Sequence, residues 1–404
     1  MEQKIYNEYV EILKEELLPA MGCTEPIAVA YAAAVAVQAL GEKPESVEVN
    51  VSANIIKNVK SVVVPCTGGL RGIGAAVCAG IVAGCPEKEL EILEEITGEQ
   101  KVEMKKMLDT MPMTIRESDK EYIFDIQIKA CAGGHSGYVE IAGFHTNVIC
   151  VKKDDEIIRE KAYEEQGSSC ATDRSLLTVE KIIEFADCVD VADVEEVLQR
   201  QIDYNWAIAE EGMTGNWGAA IGKTLMEAYG NSVHNRAKAM AAAGSDARMN
   251  GCELPVVINS GSGNQGMTTS LPVIVYAKEL NVSKEMMLRA LVVSNLITIH
   301  MKTGIGRLSA YCGAISAGCG AGAGICYLYG GRAYEISHVI VNAVAINSGV
   351  VCDGAKASCA AKIASAVEAG LLGLQMQKNG KQFYGGDGLV EKGVENTIRN
   401  IGEL

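Results

Sequence analysis

Three cysteines in the last third of the chain, Cys312, Cys352 and Cys359, have side chains suited to metal binding. Cys352 and Cys359 are seven residues apart, so a continuous helix would place them on one face unless Gly354 interrupts it. Cys312 must reach them from a separate helix end. Thiolates at helix N-termini have a lowered pKa and are good iron ligands. The spacing is not a compact metal motif, however, and on pattern alone three buried core thiols explain it as well.

A fourth cysteine, Cys23, is the candidate for a catalytic base. It lies in a Gly-Cys-Thr-Glu-Pro turn before a predicted helix over Ile27–Leu40, and Pro26 suits the first helical turn. The amides and dipole at the helix start are expected to lower the pKa of the thiol and produce a thiolate. Glu25 could orient this thiol or cap the helix. The alternative is that Cys23 is simply a small buried residue at a helix start.

A glycine-rich segment, residues 259–266, contains candidate ligands for an anionic substrate. Free backbone amides together with Ser and Asn side chains can bind a carboxylate. We therefore interpret Asn259, Ser260, Ser262 and Asn264 as substrate-binding residues. The segment lacks the lysine of a phosphate-binding loop and the glycine pattern of a dinucleotide site, which argues against a nucleotide. A plain glycine-rich turn between a strand and a helix is the alternative.

Two cations shortly before Cys312, Lys302 and Arg307, are further substrate-binding candidates. A positive side chain near a metal centre can form an ion pair with the carboxylate of an amino acid. We therefore expect Lys302 and Arg307 to contribute to the same site as the cysteines.

The elements that must position these residues divide the sequence into two halves of different character. Before about residue 190, helical segments mix with alternating apolar residues typical of strands, as in Val47–Val51 and Phe124–Ile128. After it, the alternation fades and apolar runs rich in Ala and Gly predict closely packed helices. We predict an α+β domain over residues 1–190, which carries the Cys23 turn, and an all-α domain over residues 191–404, which carries the metal-binding cysteines.

Composition narrows the possible partners. The formal net charge is −15, and a protein of this charge lacks the basic surface that nucleic-acid binding requires. The N-terminal region has no signal-peptide pattern, and the apolar runs Ile27–Leu40 and Val339–Val351 are short or interrupted, which favours buried helices over membrane spans. We therefore expect a cytoplasmic protein, in which 14 cysteines do not indicate disulfides.

Several specific strings give the chain a family resemblance. The segment from Tyr311 to Cys319, followed by Cys352-Asp353, resembles the cluster-binding region of the oxygen-sensitive iron–sulfur L-serine dehydratases. Three further strings resemble the L-cysteine desulfidase family, a relative of the serine dehydratase α subunit. They are Met-Gly-Cys-Thr-Glu-Pro at 21–26, Asn-Ser-Gly-Ser-Gly-Asn-Gln-Gly at 259–266 and Cys-Asp-Gly-Ala-Lys-Ala-Ser-Cys at 352–359. Their shared order extends the resemblance over nearly the whole chain.

The resemblance implies that Cys312, Cys352 and Cys359 bind a [4Fe–4S] cluster and that L-cysteine is converted to pyruvate, ammonia and hydrogen sulfide. It also favours Cys23 as the base. Some serine dehydratases fold a C-terminal cysteine onto the cluster, whereas this sequence ends at Leu404 without one. One iron is therefore expected to stay open for the substrate. The last two cysteines are also closer together here than in the serine dehydratases.

Three alternatives remain. The same apparatus could act on L-serine, which differs from L-cysteine at a single β atom. A pyridoxal-phosphate enzyme would need a lysine in a recognisable context, and the sequence offers none. A non-enzymatic iron–sulfur sensor would be expected to supply every ligand of its site from the protein.

A homodimer is the expected assembly for a two-domain enzyme of this kind.

Overall fold

The computed structural model describes residues 1–163, 172–306 and 309–403. The helices are α1 (Gln3–Glu16), α2 (Thr24–Leu40), α3 (Ala53–Val59), α4 (Gly72–Ala83), α5 (Gly98–Thr110), α6 (Val179–Cys188), α7 (Glu195–Thr214), α8 (Ile221–Tyr229), α9 (Val233–Met249), α10 (Gly263–Glu279), α11 (Lys284–Ile305), α12 (Gly313–Leu328), α13 (Ala333–Ile346), α14 (Cys359–Lys378) and α15 (Val394–Gly402). The strands are β1 (Pro19–Met21), β2 (Ser46–Val51), β3 (Met113–Glu117), β4 (Asp125–Ala132), β5 (His135–Ala142), β6 (Val148–Lys153), β7 (Glu156–Glu160) and β8 (Pro255–Val257).

A mixed sheet with strand order β3-β2-β4-β5-β6-β7 forms the first part of the fold. β2 pairs in parallel with β3, and the other neighbours are antiparallel. Apolar and polar residues alternate along β2, and this pattern determines which face of the sheet is buried. Val47, Val49 and Val51 are buried, whereas Glu48 points to the other face and is exposed. The sheet packs against α2, and α4 lies against α2. These layers enclose the first hydrophobic core.

Helix α12 is at the centre of the second part, where it packs against α10, α11, α13 and α14. Its glycines permit the close approach of these neighbours. A Cβ added at Gly318 would lie 2.3 Å from the carbonyl oxygen of Ala366 in α14, and one at Gly320 would lie 2.1 Å from the hydroxyl of Thr298 in α11. The small residues in this helix therefore set the distance between the helices around it.

The predicted fold class, an α+β part followed by an all-α part, is confirmed. The division at residue 190 stays a prediction about folding units, and the hydrophobic cores do not follow it at the N-terminus. Tyr9, Leu13 and Leu17 belong to the core of the helical part rather than to the core under the sheet. The first helix of the chain is thus packed against elements that come much later in the sequence.

Two sequence-based boundaries need correction. The apolar run Val339–Val351 is helical only to Ile346, and Val351 is exposed. The glycine-rich segment 259–266 is a turn only as far as Ser262, because α10 begins at the next residue. Within the described ranges, the structure contains no helix with both the length and the apolar character needed to cross a membrane.

Candidate active site

One cavity collects most of the residues singled out from the sequence. It has a volume of about 110 Å³ and is lined by residues of α2, α3, α9, α10, α11, α12 and α14 together with adjoining loops. The predicted residues on its wall are Cys23, Ser262, Asn264, Lys302, Cys312, Cys352 and Cys359. The sheet-containing part and the helical part therefore both contribute to a single site.

A two-stranded antiparallel sheet brings the Cys23 turn to this cavity. β1 lies directly before the turn and pairs with β8, with Ala20 opposite Val256. The hydroxyl of Thr24 donates a hydrogen bond to the carbonyl oxygen of Gly261 over 3.3 Å. The Cys23 turn is thus fixed beside the glycine-rich turn that precedes α10.

A short antiparallel contact brings Cys312 and Cys352 together. The amide of Cys312 donates to the carbonyl oxygen of Val350 over 3.1 Å, and the amide of Cys352 donates to that of Ala310 over 2.7 Å. Cys312 stands at the N-terminus of α12, so it comes from a separate helix end as expected. Two of the three candidate ligands are therefore held by backbone hydrogen bonds.

Cys359 is the first residue of α14, and the segment from Cys352 to Cys359 is not a continuous helix. Gly354 interrupts it with φ +103°, a conformation that L side chains rarely adopt. The glycine packs on α3 so closely that an added Cβ would lie 2.1 Å from the carbonyl oxygen of Lys57. The loop between the two cysteines is therefore shaped by contact with the first part of the chain.

The thiol of Cys23 is buried and donates a hydrogen bond to Oε2 of Glu25 over 3.1 Å. The same oxygen accepts from the hydroxyl of Thr24 over 3.2 Å, and Oε1 accepts from the side-chain amide of Asn58 over 3.0 Å. Burial opposes ionisation of Glu25, but the charge of His145 and the hydrogen bond from Cys23 lower its pKa. Glu25 is therefore an ionised group held in place beside the thiol.

The pKa of Cys23 moves opposite to the expectation. Burial raises this pKa well above its usual value and the carboxylate of Glu25 adds to the increase, while Arg248 opposes it. The expected lowering is therefore wrong, because the amides at the helix start are outweighed by burial and an adjacent negative charge. Burial also raises the pKa of Cys312 and Cys359. Thiols in such a setting lose their protons when a metal binds, since the thiolate is the ligand.

Lys302 lies on the cavity wall with only 5% of its surface exposed. Burial lowers its pKa to about 8, against the opposing influence of Cys352 and Cys312. Its ammonium group is thus placed to offset the negative charge of cysteine thiolates. The other predicted cation, Arg307, lies outside the described residues.

Asn259 and Ser260 lie behind the cavity and do not line it. The side-chain amide of Asn259 donates to Oδ1 of Asn295 over 2.9 Å, and its oxygen accepts from the hydroxyl of Ser260 over 2.9 Å. Asn295 in turn exchanges two hydrogen bonds with Gln201. All four residues are buried, so this network holds the glycine-rich turn in shape.

Sequence reasoning missed several polar residues of the cavity wall, among them Arg248 and Gln265. Arg248 is in the last turn of α9 with 3% of its surface exposed, and its Nη1 donates to Oδ1 of Asn264 over 3.2 Å. Neither Nε of Arg248 nor Oε1 of Gln265 has a hydrogen-bond partner among the residues that the structure describes. The signal that could have identified Arg248 is its position near the end of an alanine-rich helix. Such a helix is expected to be buried, and a buried arginine usually has an anionic partner.

Comparison with known proteins identifies the family. Residues 87–404 match the family model described as serine dehydratase alpha chain. This chain belongs to that family. It is 59% identical to a UPF0597 protein of Desulfitobacterium hafniense over 403 residues, which cover 100% of this chain and 94% of the relative. A UPF0597 protein of Lachnoclostridium phytofermentans is 50% identical over 98% of this chain and 95% of its own length. A UPF0597 protein of Treponema denticola is 44% identical over 100% of this chain and 95% of its own length.

Membership of the serine dehydratase alpha chain family supports a lyase activity in general. The family match begins at residue 87, so it includes Cys312, Cys352, Cys359 and Arg248 but not Cys23. The UPF0597 relatives, in contrast, are similar over nearly the whole chain and therefore extend over the Cys23 turn. The two kinds of comparison together cover both sides of the cavity.

The donor set of this serine dehydratase family member suits an iron–sulfur cluster better than a single ion. In the part of the chain that the structure describes, no group of three or more His, Cys, Asp or Glu side chains is spaced to hold one metal ion. A cubane cluster makes a different demand, because each cysteine binds a different iron. Cys312, Cys352 and Cys359 are free thiols on one cavity wall, with Lys362 near enough to oppose the rise in pKa of Cys312 and Cys359.

Proposed function

We propose that the protein is an iron–sulfur-dependent L-cysteine desulfidase, which converts L-cysteine to pyruvate, ammonia and hydrogen sulfide. The observation that carries this proposal is that Cys23 lines the same cavity of about 110 Å³ as Cys312, Cys352 and Cys359. Family membership supports the lyase chemistry, and the choice of L-cysteine is supported by the resemblance of residues 21–26 and by the apolar residues beside the three cysteines.

Cys312, Cys352 and Cys359 are proposed to hold a [4Fe–4S] cluster. When bound, such a cluster with an open iron supplies a Lewis acid for the substrate. The protein side chains around it have separate tasks. Lys302 and Lys362 offset the charge of the thiolates, and the loop that contains Gly354 fixes the separation of the last two cysteines.

Cys23 is proposed to remove the proton from Cα of the substrate. A weakly acidic C–H bond needs a base placed within reach, and Cys23 directly precedes α2, on a different element from the three cysteines. The carboxylate of Glu25 already accepts a hydrogen bond from this thiol and is placed to hold it in one orientation. The ionised carboxylate of Glu25, which accepts a hydrogen bond from the thiol, takes the thiol proton. The Cα proton then moves to the Sγ thiolate, the electron pair of the Cα–H bond forms the Cα–Cβ double bond, and the β-sulfur leaves as HS⁻. The resulting aminoacrylate tautomerises and hydrolyses to pyruvate and ammonium without further catalysis.

Apolar residues beside the three cysteines favour a thiol as the leaving group. Ala314, Ala355 and Ile363 contribute alkyl groups to the cavity wall. A sulfur atom is tolerated next to alkyl groups, whereas a buried hydroxyl needs hydrogen-bond partners that these residues do not have. The alkyl groups support L-cysteine over L-serine, whereas the hydroxyls of Ser309 and Tyr311, which line the same cavity, could pair with the hydroxyl of L-serine.

Purification without oxygen provides the test. Iron content, sulfide content and the visible spectrum are measured, and the release of sulfide and pyruvate from L-cysteine is compared with the release of pyruvate from L-serine. We expect a coloured protein with bound iron and sulfide that uses L-cysteine with the higher kcat/KM. A colourless, iron-free and fully active protein would reject the cluster, and turnover of L-serine without L-cysteine would reject the desulfidase.

A further inference from the structure

We propose that Arg248 and Gln265 form a recognition pair for the zwitterion of an α-amino acid. Arg248 binds the α-carboxylate, and Oε1 of Gln265 accepts a hydrogen bond from the α-ammonium group. The inference rests on the proposed function for the β substituent of the substrate, whereas the pair itself concerns only the groups on Cα.

Arg248 is a buried cation that forms no ion pair among the described residues, and the carboxylate of Glu25 is near enough only for Arg248 to help lower its pKa. Its guanidinium is always charged, and 3% of the residue is exposed. Nη1 donates to the neutral amide oxygen of Asn264, while Nε has no acceptor and no described carboxylate forms an ion pair with Arg248. A buried charge without a partner is strongly unfavourable. A carboxylate in the cavity would satisfy it, and a guanidinium can bind a carboxylate through two parallel hydrogen bonds.

Gln265 is a buried acceptor that lacks a donor. Only 6% of the residue is exposed, and Oε1 receives no hydrogen bond from any residue in the described ranges. The residue lies in the first turn of α10, next to Asn264, which itself accepts from Arg248. An unpaired donor and an unpaired acceptor therefore lie on the same wall, and an amino-acid zwitterion offers the complement of both.

Neighbouring glycines make room for both side chains. A Cβ at Gly263 would lie 2.5 Å from Nε of Arg248, and a Cβ at Gly313 would lie 2.6 Å from Cδ of Gln265. Gly313 directly follows Cys312, so Gln265 packs beside the start of a metal-binding helix. This packing holds the two polar groups in defined positions rather than leaving them free to reach solvent.

Two other cations on the wall, Lys362 and Lys302, are placed for other partners. Lys362 forms an ion pair with Asp353. Lys302 is under the electrostatic influence of Cys352 and Cys312. Of these three cations, Arg248 is the one whose surroundings call for a carboxylate from outside the chain.

Inhibition by three small probes separates the two recognised groups. L-alanine has both the carboxylate and the ammonium group, 3-mercaptopropionate has the carboxylate alone, and cysteamine has the ammonium group alone. Their inhibition constants are measured against L-cysteine turnover, and their dissociation constants are measured directly by calorimetry under anaerobic conditions. Arg248→Lys, Gln265→Met and Arg236→Lys are compared with the unchanged protein, and the iron content and Tm of each are recorded.

We expect Arg248→Lys to weaken the binding of L-alanine and 3-mercaptopropionate at least 10-fold and to change the dissociation constant of cysteamine by less than 3-fold. Gln265→Met should weaken L-alanine and cysteamine at least 5-fold and spare 3-mercaptopropionate. Arg236→Lys is the matched control, because Arg236 lies on the same helix but pairs with Glu279 and does not line the cavity.

Equal weakening of all three probes, or none, in Arg248→Lys would overturn the role of Arg248. If this variant does not fold, the pattern in Gln265→Met decides, since loss of 3-mercaptopropionate binding there contradicts the pairing. Calorimetry keeps the inference separate from the proposed function. If L-cysteine is not turned over but the probes bind with the expected pattern, the recognition pair stands and the desulfidase is rejected.

Discussion

The carbonyl oxygen of Lys57 packs directly against the α-carbon of Gly354, so closely that an added Cβ would lie 2.1 Å from it. Lys57 is on α3, in the part of the chain that also supplies Cys23, whereas Gly354 lies between Cys352 and Cys359. The contact therefore links the position of the proposed base to the shape of the loop that carries two proposed ligands.

Gly354→Ala should reduce the iron bound per chain. The added methyl group clashes with the carbonyl oxygen of Lys57, and a non-glycine residue at φ +103° is strained by about 1–3 kcal/mol. Iron content after anaerobic reconstitution and Tm are the measurements. Gly349→Ala is the control, because a Cβ there meets nothing within 4 Å and should change neither value. Full iron occupancy in Gly354→Ala would show that the contact does not shape the loop.

Cys23→Ala should keep the cluster but lose turnover, by roughly 10²–10⁴-fold in kcat, the contribution usual for a general base. The measurements are iron content, the visible spectrum and the rate of sulfide release. Cys252→Ala is the matched control, since Cys252 is also buried but does not line the cavity. Loss of iron from Cys23→Ala, with iron retained in the control, would instead make Cys23 a ligand.

Asn259→Ala should lower stability, whereas Ser262→Ala should mainly raise KM. Removing Asn259 leaves the buried hydroxyl of Ser260 without its acceptor and takes one of two donors from Oδ1 of Asn295, at a cost of about 1–3 kcal/mol. Ser262 lines the cavity, so its loss acts on binding. Thermal unfolding and steady-state kinetics of both variants separate these effects. An unchanged Tm in Asn259→Ala would mean that the network is not needed to hold the turn.

Asp246 should make the folded protein less stable as the pH rises from 4 to 7. Its Oδ2 accepts a hydrogen bond from the amide of Gly222, but burial raises its pKa from 3.8 to about 6. The neutral form favours folding, so this stabilisation is complete below pH 3.8 and is lost as the pH passes 6. The difference between the two pKa values corresponds to roughly 3 kcal/mol in the free energy of unfolding.

Calorimetry from pH 4 to 7 on Asp246→Asn and Asp203→Asn tests this dependence. The side chain of Asp246→Asn cannot ionise. The Tm of this variant, relative to that of the unchanged protein, should therefore increase as the pH rises. Asp203 is exposed, and its variant should follow the unchanged protein at every pH. Parallel profiles for all three proteins would contradict a raised pKa at Asp246.

Much of the fold follows from local patterns. Alternating valines in β2 and the alanine-rich run of α2 are visible in the sequence, because side-chain periodicity reports which face is buried. The end of α13 at Ile346 was missed because the apolar run continues to Val351, where the backbone instead contacts Tyr311 in an antiparallel bridge. Such a contact depends on residues distant in sequence and leaves no local pattern.

The candidate site was predictable where the chemistry lies in the residue type. The cysteines could be chosen because thiols are the usual iron ligands. Arg248 and Gln265 could not, because their interest arises from burial without partners, which only the folded chain reveals. For the same reason the pKa of Cys23 was misjudged, since the sequence shows the helix start but not the surrounding protein.

Pairing of β1 with β8 has a consequence for biosynthesis. The ribosome makes Cys23 early and Cys359 late, so β1 must wait for most of the chain before its partner strand exists. The pocket thus closes only after residues as late as Ile363 have been made. Delivery of iron and sulfide to the proposed cluster site can then take place only after Cys359 has been made.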